Sequence, residues 1–183
     1  MDFKGHFQLM AQYNQRMNHQ VYQAAAQLTA EQFNQDQGAF FGSISGVLNH
    51  ILVGDLIWLS RFAQHQVSYQ SLKDLSLLPK PKGLDHLLFS ELDALSQARQ
   101  HVDSAIICWL DKEAASDHFY QDLSYSNTKG IVSQRNFAEL VSHLFNHQTH
   151  HRGQVSTLLF QSGTDIGVTD FLMDIPDKAS TQN

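Results

Sequence analysis

Several residue types are scarce in this sequence, and each scarcity excludes a class of protein. Cys108 is the one cysteine among 183 residues, which rules out an intramolecular disulfide and a zinc ribbon built from CxxC pairs. Three prolines and ten glycines are too few for a collagen-like or loop-rich chain. Since 42% of the residues are hydrophobic, the chain can form a packed core, and its length predicts one domain over residues 1–183.

Clusters of basic residues are also lacking. The chain has 12 Lys and Arg against 18 Asp and Glu, a formal net charge of −6. Its longest basic cluster, Lys80-Pro81-Lys82, contains no aromatic residue. Proteins that bind a phosphate backbone usually carry a basic stripe, so we expect no nucleic-acid partner.

The sequence shows neither a signal peptide nor a membrane span. The N-terminus lacks a charged segment followed by an apolar run. The most apolar stretch, Ile44 to Leu59, is interrupted by His50, Gly54 and Asp55, and it is shorter than the roughly 20 residues that cross a bilayer. We therefore expect a soluble cytoplasmic protein with no membrane partner.

Apolar periodicity and turn signals predict an all-α protein with four long helices. The predicted helices run from just after Asp2 to about Gln27, from near Ser43 to about Gln66, from about Leu84 to Asp111, and from about Asn136 to just before Gly163. A short extra turn is predicted at residues 29–32. Such helices with short connections are typical of a four-helix bundle, a fold that builds metal and cofactor sites in its core.

A β-hairpin is predicted between the third and fourth helices. Phe119 to Tyr125 precede a turn at Asn127-Thr128-Lys129-Gly130, and Ile131-Val132 follow it. Aromatic and β-branched residues on both sides of an Asn…Gly turn are typical of a short hairpin.

Histidine is the residue type in surplus, with 11 residues against 12 Lys and Arg. Imidazole is the commonest protein metal ligand. Four histidines lie within nine residues of the fourth predicted helix: His143, His147, His150 and His151. At about 100° per residue, His147 and His151 fall within the apolar stripe of this helix, whereas His143 and His150 fall on its polar flank.

Two imidazoles one turn apart on a buried face need partners, because unsatisfied buried polar groups are costly. A divalent cation would satisfy both at once. Hydrogen bonds to Asn, Gln or backbone groups in the core are the alternative. A third ligand would come from another helix, and His50 is the best candidate because its predicted helix is apolar on nearly all sides.

Asp55 is the one formal charge of the second helix between Ser43 and Ser60. It could orient a ligand histidine through the second ring nitrogen, or it could pair with Arg16, Arg61 or a backbone group. The apolar character of this helix also predicts a second burying surface, which a C2 homodimer would supply.

A specific sequence pattern surrounds these histidines. The run Asn146-His147-Gln148-Thr149-His150-His151-Arg152-Gly153-Gln154 follows Asn49-His50 by about a hundred residues. Further matching positions are Tyr13-Asn14, Asn18, Asp55, Trp58, Leu123-Ser124-Tyr125, Asn127 to Gly130, Gly167 to Asp170 and Ile175 to Asp177. Together they cover nearly the whole chain and resemble the DinB family, bacterial proteins of the damage-inducible type that are related in fold to the YfiT-like thiol transferases.

The resemblance implies a fold, a metal and a ligand set. The fold is a four-helix bundle with up-down-down-up connectivity, often dimeric. The metal is divalent, commonly zinc or nickel, and is held by three histidines. Carried over by motif, these are His50, His147 and His151, the residues that the apolar pattern also favours.

Three neutral imidazoles would leave a cation its full charge of +2 and an open coordination position, as in catalytic zinc sites. A low-molecular-weight thiol activated there could attack an electrophile, as in the thiol transferases of the family, or an activated water could hydrolyse an ester or amide. The thiol reaction is preferred because Gln148 stands where an HExxH hydrolase has glutamate. A stress-linked protein that binds metal without catalysis is the remaining alternative.

Five further residues are candidates for polar groups of the pocket: Tyr13, Asn14, Asn146, Gln154 and His143. For the first four, helix caps and interhelical hydrogen bonds are the alternative roles. For His143, on the polar flank of its helix, the alternative is a solvated side chain.

Overall fold

The computed structural model describes residues 2–127 and 129–177 and is mostly helical. Its helices in chain order are α1 (Phe3–Ala25), α2 (Ala30–Asn34), α3 (Ile44–Phe62), α4 (Gln70–Asp74), α5 (Leu92–Cys108) and α6 (Phe137–Gln161). A π-helical turn, Trp109–Glu113, continues α5. Short 3₁₀ turns cover Leu75–Leu77, Ser116–Tyr120 and Phe171–Asp174.

Two antiparallel strands, β1 (Asp122–Ser126) and β2 (Val132–Asn136), lie in the chain between α5 and α6. Their register pairs Asp122 with Asn136 and Ser126 with Val132. Thr128, one of the predicted turn residues, lies outside the described residues. Because β2 leads directly into α6, the strand pair fixes where α6 begins.

Side-chain caps begin three of the long helices. Asp2, Ser43 and Asn136 each accept a hydrogen bond from the backbone N–H three residues later, at 2.8, 3.0 and 3.2 Å. Each bond satisfies one of the N–H groups that the first turn of a helix leaves unpaired. The predicted helix start after Asp2 is confirmed.

The third long helix begins later than predicted. We expected it from about Leu84, but α5 starts at Leu92, and residues 84–90 are not helical. Asn49 of α3 holds this segment, because its Nδ2 donates to the carbonyl oxygen of Phe89 (2.9 Å) and its Oδ1 accepts from the N–H of Phe89 (3.0 Å). These tertiary hydrogen bonds satisfy backbone groups that would otherwise need a helix.

Aromatic side chains join the four long helices in the core. Phe7 near the start of α1, Phe62 at the end of α3, Trp109 just after α5 and Phe137 at the start of α6 are all at most 1% exposed. The ring centroids of Phe62 and Trp109 lie 5.2 and 6.1 Å from that of Phe137, and Phe119 lies between Phe7 (5.2 Å) and Phe137 (5.7 Å). The starts of α1 and α6 therefore lie beside the ends of α3 and α5.

Most of the surface of helix α3 is buried by other parts of the same chain. Of its 19 residues, 14 are buried, against α6, α5 and the short helices α2 and α4. The apolar surface that suggested a partner subunit is therefore already packed. Although α3 is strongly apolar, no helix in the described part of the chain combines the length and apolar character of a membrane span.

Candidate metal centre

Three histidines from two helices meet in the structure. His50 lies in the first half of α3, and His147 and His151 lie one turn apart on α6. The Nε2 atom of His50 is 3.1 Å from Nε2 of His147 and 3.1 Å from Nε2 of His151. One nitrogen of each ring lies within 4.8 Å of the others, which makes this trio the one group of three or more His, Cys, Asp or Glu among residues 2–127 and 129–177 that could hold a metal ion.

Hydrogen bonds determine which nitrogen two of these rings present to the centre. His50 Nδ1 lies 2.8 Å from the carbonyl oxygen of Leu84, and His151 Nδ1 lies 2.8 Å from Oε1 of Gln154. The Gln154 amide is oriented by a second contact, since its Nε2 lies 3.3 Å from a ring nitrogen of His150. Both oxygens can only accept, so both Nδ1 atoms carry the hydrogen. The Nε2 atoms of His50 and His151 therefore face each other with their lone pairs.

Burial keeps the three imidazoles neutral. Desolvation lowers the pKa of His50 and of His151, and the hydrogen bonds at their Nδ1 atoms oppose the shift only in part. Desolvation, together with the neighbouring His151 and His50, lowers the pKa of His147 to about 3. With the ring nitrogens in these roles, two acceptor nitrogens 3.1 Å apart have no hydrogen between them and repel each other, and a cation between them would remove this repulsion.

The spacing of the trio fits a divalent metal ion. Nitrogen ligands about 2.0–2.1 Å from zinc at tetrahedral angles lie about 3.3 Å from one another. The two separations of 3.1 Å at His50 are close to this value. Neutral imidazole is also the form that ligates metals.

A glycine and a phenylalanine shape the space around the trio. A Cβ atom at Gly54 of α3 would lie 2.6 Å from Cε1 of His147, so the absence of a side chain there makes room for the ring. Phe41 stacks on His50 with ring centroids 3.7 Å apart and an angle of 18° between the planes, and it meets His151 edge-on at 5.6 Å. In the sequence, a glycine inside a helical pattern can signal such a close approach. Nothing in the sequence pointed to Phe41.

Two of the predicted pocket residues lie beside the trio. Gln154 holds His151 through the hydrogen bond described above. The ring of His143, one turn before His147, has its centroid 6.2 Å from that of His147 and 5.1 Å from Trp58. His143 is exposed and lies outside the ligand group.

Asn146 and Tyr13 form no hydrogen bond or ring contact with the three imidazoles in the described structure. Asn146 is exposed on α6. The Tyr13 hydroxyl donates to the backbone carbonyl of Thr169 (3.1 Å), and its ring meets Phe171 edge-on at 5.0 Å. Tyr13 therefore holds the C-terminal segment against α1.

Asp55 pairs with an arginine rather than with a ligand histidine. Its carboxylate accepts a hydrogen bond from Nη1 of Arg99 on α5, at a fully buried position. Neither of the arginines considered from the sequence is its partner, because Arg16 pairs with Asp174, and Arg61 stacks on aromatic rings.

A buried polar network extends from this pair to the other helices. Arg99 Nη2 lies 3.0 Å from Oδ1 of Asp103, which also accepts from Asn14 of α1 (3.3 Å). The Oδ1 atom of Asn14 accepts in turn from Nη1 of Arg152 on α6. These four residues are at most 4% exposed. Because Arg152 directly follows His151, the network fixes the turn of α6 that carries two of the imidazoles.

Comparison with known proteins agrees with the sequence pattern. The family model described as DinB family matches residues 1–181. Protein DinB of Bacillus subtilis (strain 168) is 27% identical over 161 residues, which cover 87% of this chain and 88% of that protein. No solved structure matches. Because the family model spans nearly the whole length, the chain belongs to the DinB family.

Proposed function

We propose that the protein binds a divalent metal ion through His50, His147 and His151 and uses it to activate a low-molecular-weight thiol for transfer to an electrophile. One observation carries the metal proposal: the Nε2 atoms of His50 and His151 lie 3.1 Å apart with their lone pairs facing each other. The Nδ1–H groups of both rings are hydrogen-bonded elsewhere. A cation at this point converts a repulsion into two bonds. Zinc and nickel are the metals that we propose, since both accept imidazole ligands.

The chemistry follows from the charge that neutral ligands leave on the metal. A divalent cation in such a site lowers the pKa of a thiol that coordinates to it and so supplies a thiolate near neutral pH. The protein itself orients His50 and His151, leaves room at Gly54 for His147, and covers one face of His50 with Phe41. Thiol transfer needs no additional catalytic side chain from the protein, because the sulfur of the thiol is itself the nucleophile.

Hydrolysis is less well supported. It needs a proton acceptor beside the metal, and the ligand group contains histidines alone, with no carboxylate. Gln148 stands where a metalloprotease helix has glutamate, and its Oε1 accepts from Arg152 (3.3 Å). The side chain is completely buried, so it belongs to the polar network.

We further propose that α1, α3, α5 and α6 form a single-domain four-helix bundle with up-down-down-up connectivity. In support, α1 and α3 each pack against both α5 and α6, which closes a ring of four helices. The aromatic cluster adds that α1 and α6 start where α3 and α5 end. A homodimer and a cytoplasmic location stay predictions. Sedimentation of a monomer at micromolar concentration would remove the homodimer.

Elemental analysis of protein purified without a histidine tag tests the metal proposal. We expect about one equivalent in the wild type and well under one in His50→Ala, His147→Ala and His151→Ala, because each variant loses one of three ligands. His143→Ala and the exposed His101→Ala are the matched controls and should keep the metal. Full occupancy in His50→Ala would show that the three-histidine ligand set is wrong.

A thiol-consumption assay tests the reaction. Zinc- or nickel-loaded protein is mixed with a panel of thiols and 1-chloro-2,4-dinitrobenzene, and remaining thiol is measured. We expect saturable, metal-dependent loss of thiol that falls to background in His151→Ala. Metal binding without turnover of any thiol would indicate a non-catalytic metal-binding protein, and turnover of p-nitrophenyl acetate alone would indicate a hydrolase.

A further inference from the structure

A cavity separate from the candidate metal centre lies beside the second half of α3. Its volume is about 800 Å³. Its walls are formed by α3, by the segment of residues 72–81, and by Tyr125 and Ser126 of β1. None of the three histidines lines it.

Most of the inner wall is hydrocarbon. The apolar side chains that carry this point are Leu56, Ile57, Leu72, Leu75, Leu78 and Pro79. Leu56, Leu72 and Leu75 are at most 7% exposed, so this wall is part of the packed core and is held in place. An apolar wall of fixed shape suits the alkyl body of a small ligand.

The charged residues of the cavity all have the same sign. They are Arg61, Lys73 and Lys80, and no Asp or Glu lines the cavity. The net charge of the whole chain is −6, so the local charge of this cavity is opposite in sign to that of the protein. Such a group attracts an anion.

Arg61 is the cation best placed to bind that anion. Its guanidinium lies 4.6 Å from the ring centroid of Trp58 and 5.1 Å from that of Tyr125. In the described structure its side chain forms no hydrogen bond or ion pair, although desolvation lowers the pKa of Arg61. A half-buried guanidinium whose N–H groups have no acceptor offers a bidentate site for a carboxylate or phosphate.

We propose that this cavity binds a single-chain amphiphile with an anionic head, such as a medium-chain fatty acid. The head lies at Arg61, with Lys80 nearby, and the hydrocarbon chain lies along the leucines of α3 and of residues 72–78. Carboxylate and phosphate heads share the chemistry that Arg61 recognises. The site requires no metal.

Calorimetric titration of the metal-free full-length protein tests this proposal, with decanoate below its micelle concentration as the probe. We expect saturable binding that weakens at least 10-fold in Arg61→Gln and recovers in part in Arg61→Lys. Lys112→Gln is the matched control, because it removes the same charge from an exposed residue outside the cavity. Ser60→Trp, which fills the cavity from α3, should also abolish binding and gives a second variant should Arg61→Gln fail to fold.

Three further arms separate the ligand classes and the two sites. Decyl phosphate should bind and acetate should not, since acetate lacks the chain. Decanol that binds as tightly as decanoate, or decanoate that binds equally to wild type and Arg61→Gln, would overturn the proposal. His151→Ala should bind decanoate as the wild type does. Loss of binding in that variant would place the carboxylate at the histidines and likewise overturn the proposal.

Discussion

At the candidate metal centre, single atoms decide what each residue can do. The Nδ1–H groups of His50 and His151 donate hydrogen bonds to the Leu84 carbonyl and to the Gln154 amide oxygen. The Nε2 atoms of the two rings are therefore acceptors. At Gly54, the lack of a Cβ atom leaves the room in which His147 lies. Since imidazoles so oriented have little freedom to lose on binding, we expect the site to be formed before a metal arrives.

Gly54→Ala should weaken metal binding more than it weakens the fold. The new Cβ would lie 2.6 Å from Cε1 of His147, and the ring can give way only by leaving its present position. We expect at least a 10-fold loss of zinc affinity in competition titrations with a chelator. Gly153→Ala on α6 is the control, because its Cβ would meet nothing within 4 Å. It should gain up to about 1 kcal/mol of stability from helix propensity and bind zinc normally. Equal zinc affinity in both variants would contradict the role of Gly54.

The lowered pKa of His147 should reduce the stability of the metal-free protein as the pH falls below about 6.5, and the raised pKa of Asp55, about 6, opposes this effect at lower pH. The pKa of His147 is about 3 when folded, against 6.5 for an ordinary imidazole. The unfolded chain therefore binds a proton that the folded chain does not, and stability falls as pH decreases between these two values. Urea unfolding at pH 7.5, 6.0 and 5.0 measures the slope, which His147→Gln should reduce and the exposed His101→Gln should not. An identical slope in the wild type and His147→Gln would count against a half-buried, neutral His147.

At the scale of elements, the non-helical segment of residues 84–90 acts as a strap across α3. Two neighbouring residues of α3 hold it, because Asn49 bonds to both backbone groups of Phe89 and His50 bonds to the carbonyl of Leu84. The strap in turn orients His50. A connection between two helices thus becomes part of the site.

Asn49→Ala should release the strap. The backbone N–H and C=O groups of Phe89 lose their partners, which costs about 1–3 kcal/mol of the free energy of unfolding. We also expect faster hydrogen exchange in residues 84–90 and weaker zinc binding, because the acceptor for His50 is no longer held. Asn34→Ala is the control, since its exposed side chain bonds only within α2, to the carbonyl of Ala30. Unchanged exchange in residues 84–90 would show that the strap is held by other contacts.

The sequence predicted elements where the signal is local and failed where a distant residue decides. Asp2 and Ser43 each cap the first turn of their own helix, and the sequence predicted helix starts just after Asp2 and near Ser43 from residues close to these positions. The start of α5 at Leu92 depends on Asn49, about 40 residues earlier, and no periodicity near Leu84 encodes that contact. The predicted helix there was eight residues too long at its N-terminus.

At the scale of the whole molecule, the buried polar network connects the four long helices. Its charges are two arginines and two aspartates, Arg99, Arg152, Asp55 and Asp103, each at most 4% exposed. Charges buried so deeply are tolerated only while they are paired. We therefore expect the network to favour one arrangement of the four helices over others.

Asp103→Asn should strongly destabilise the protein. Without this carboxylate, Asp55 is the one acid left in the network for Arg99 and Arg152, and removal of one partner from a buried ion network costs about 3–5 kcal/mol. Urea unfolding measures the loss. Asp93→Asn, at an exposed position in the first turn of α5, is the control and should cost less than about 1 kcal/mol, the scale of a charge interacting with the helix dipole. A loss below 1 kcal/mol in Asp103→Asn would show that the network is not required for the fold.

The candidate site was more accessible to sequence reasoning than this network. The apolar stripe predicted that His147 and His151 lie on the buried face of α6. The apolar helix around His50 made His50 the third candidate. The structure brings these three histidines together. The partner of Asp55 was missed, because a sequence gives no sign that an arginine and a second aspartate are buried between helices. Only the packing of four helices shows that Arg99 lies in the interior.

Helix α6 serves the two buried systems through adjacent residues: His147 is followed by Gln148, and His151 by Arg152. The first of each pair faces the metal centre and the second faces the polar network. One inserted or deleted residue turns everything beyond it by about 100°. A deletion just before His147 would put Gln148 and Arg152 at the positions that face the metal centre, and an insertion there would put His147 and His151 at the positions that face the network. Both systems therefore depend on the spacing of residues 147–152 as well as on the identity of the four side chains.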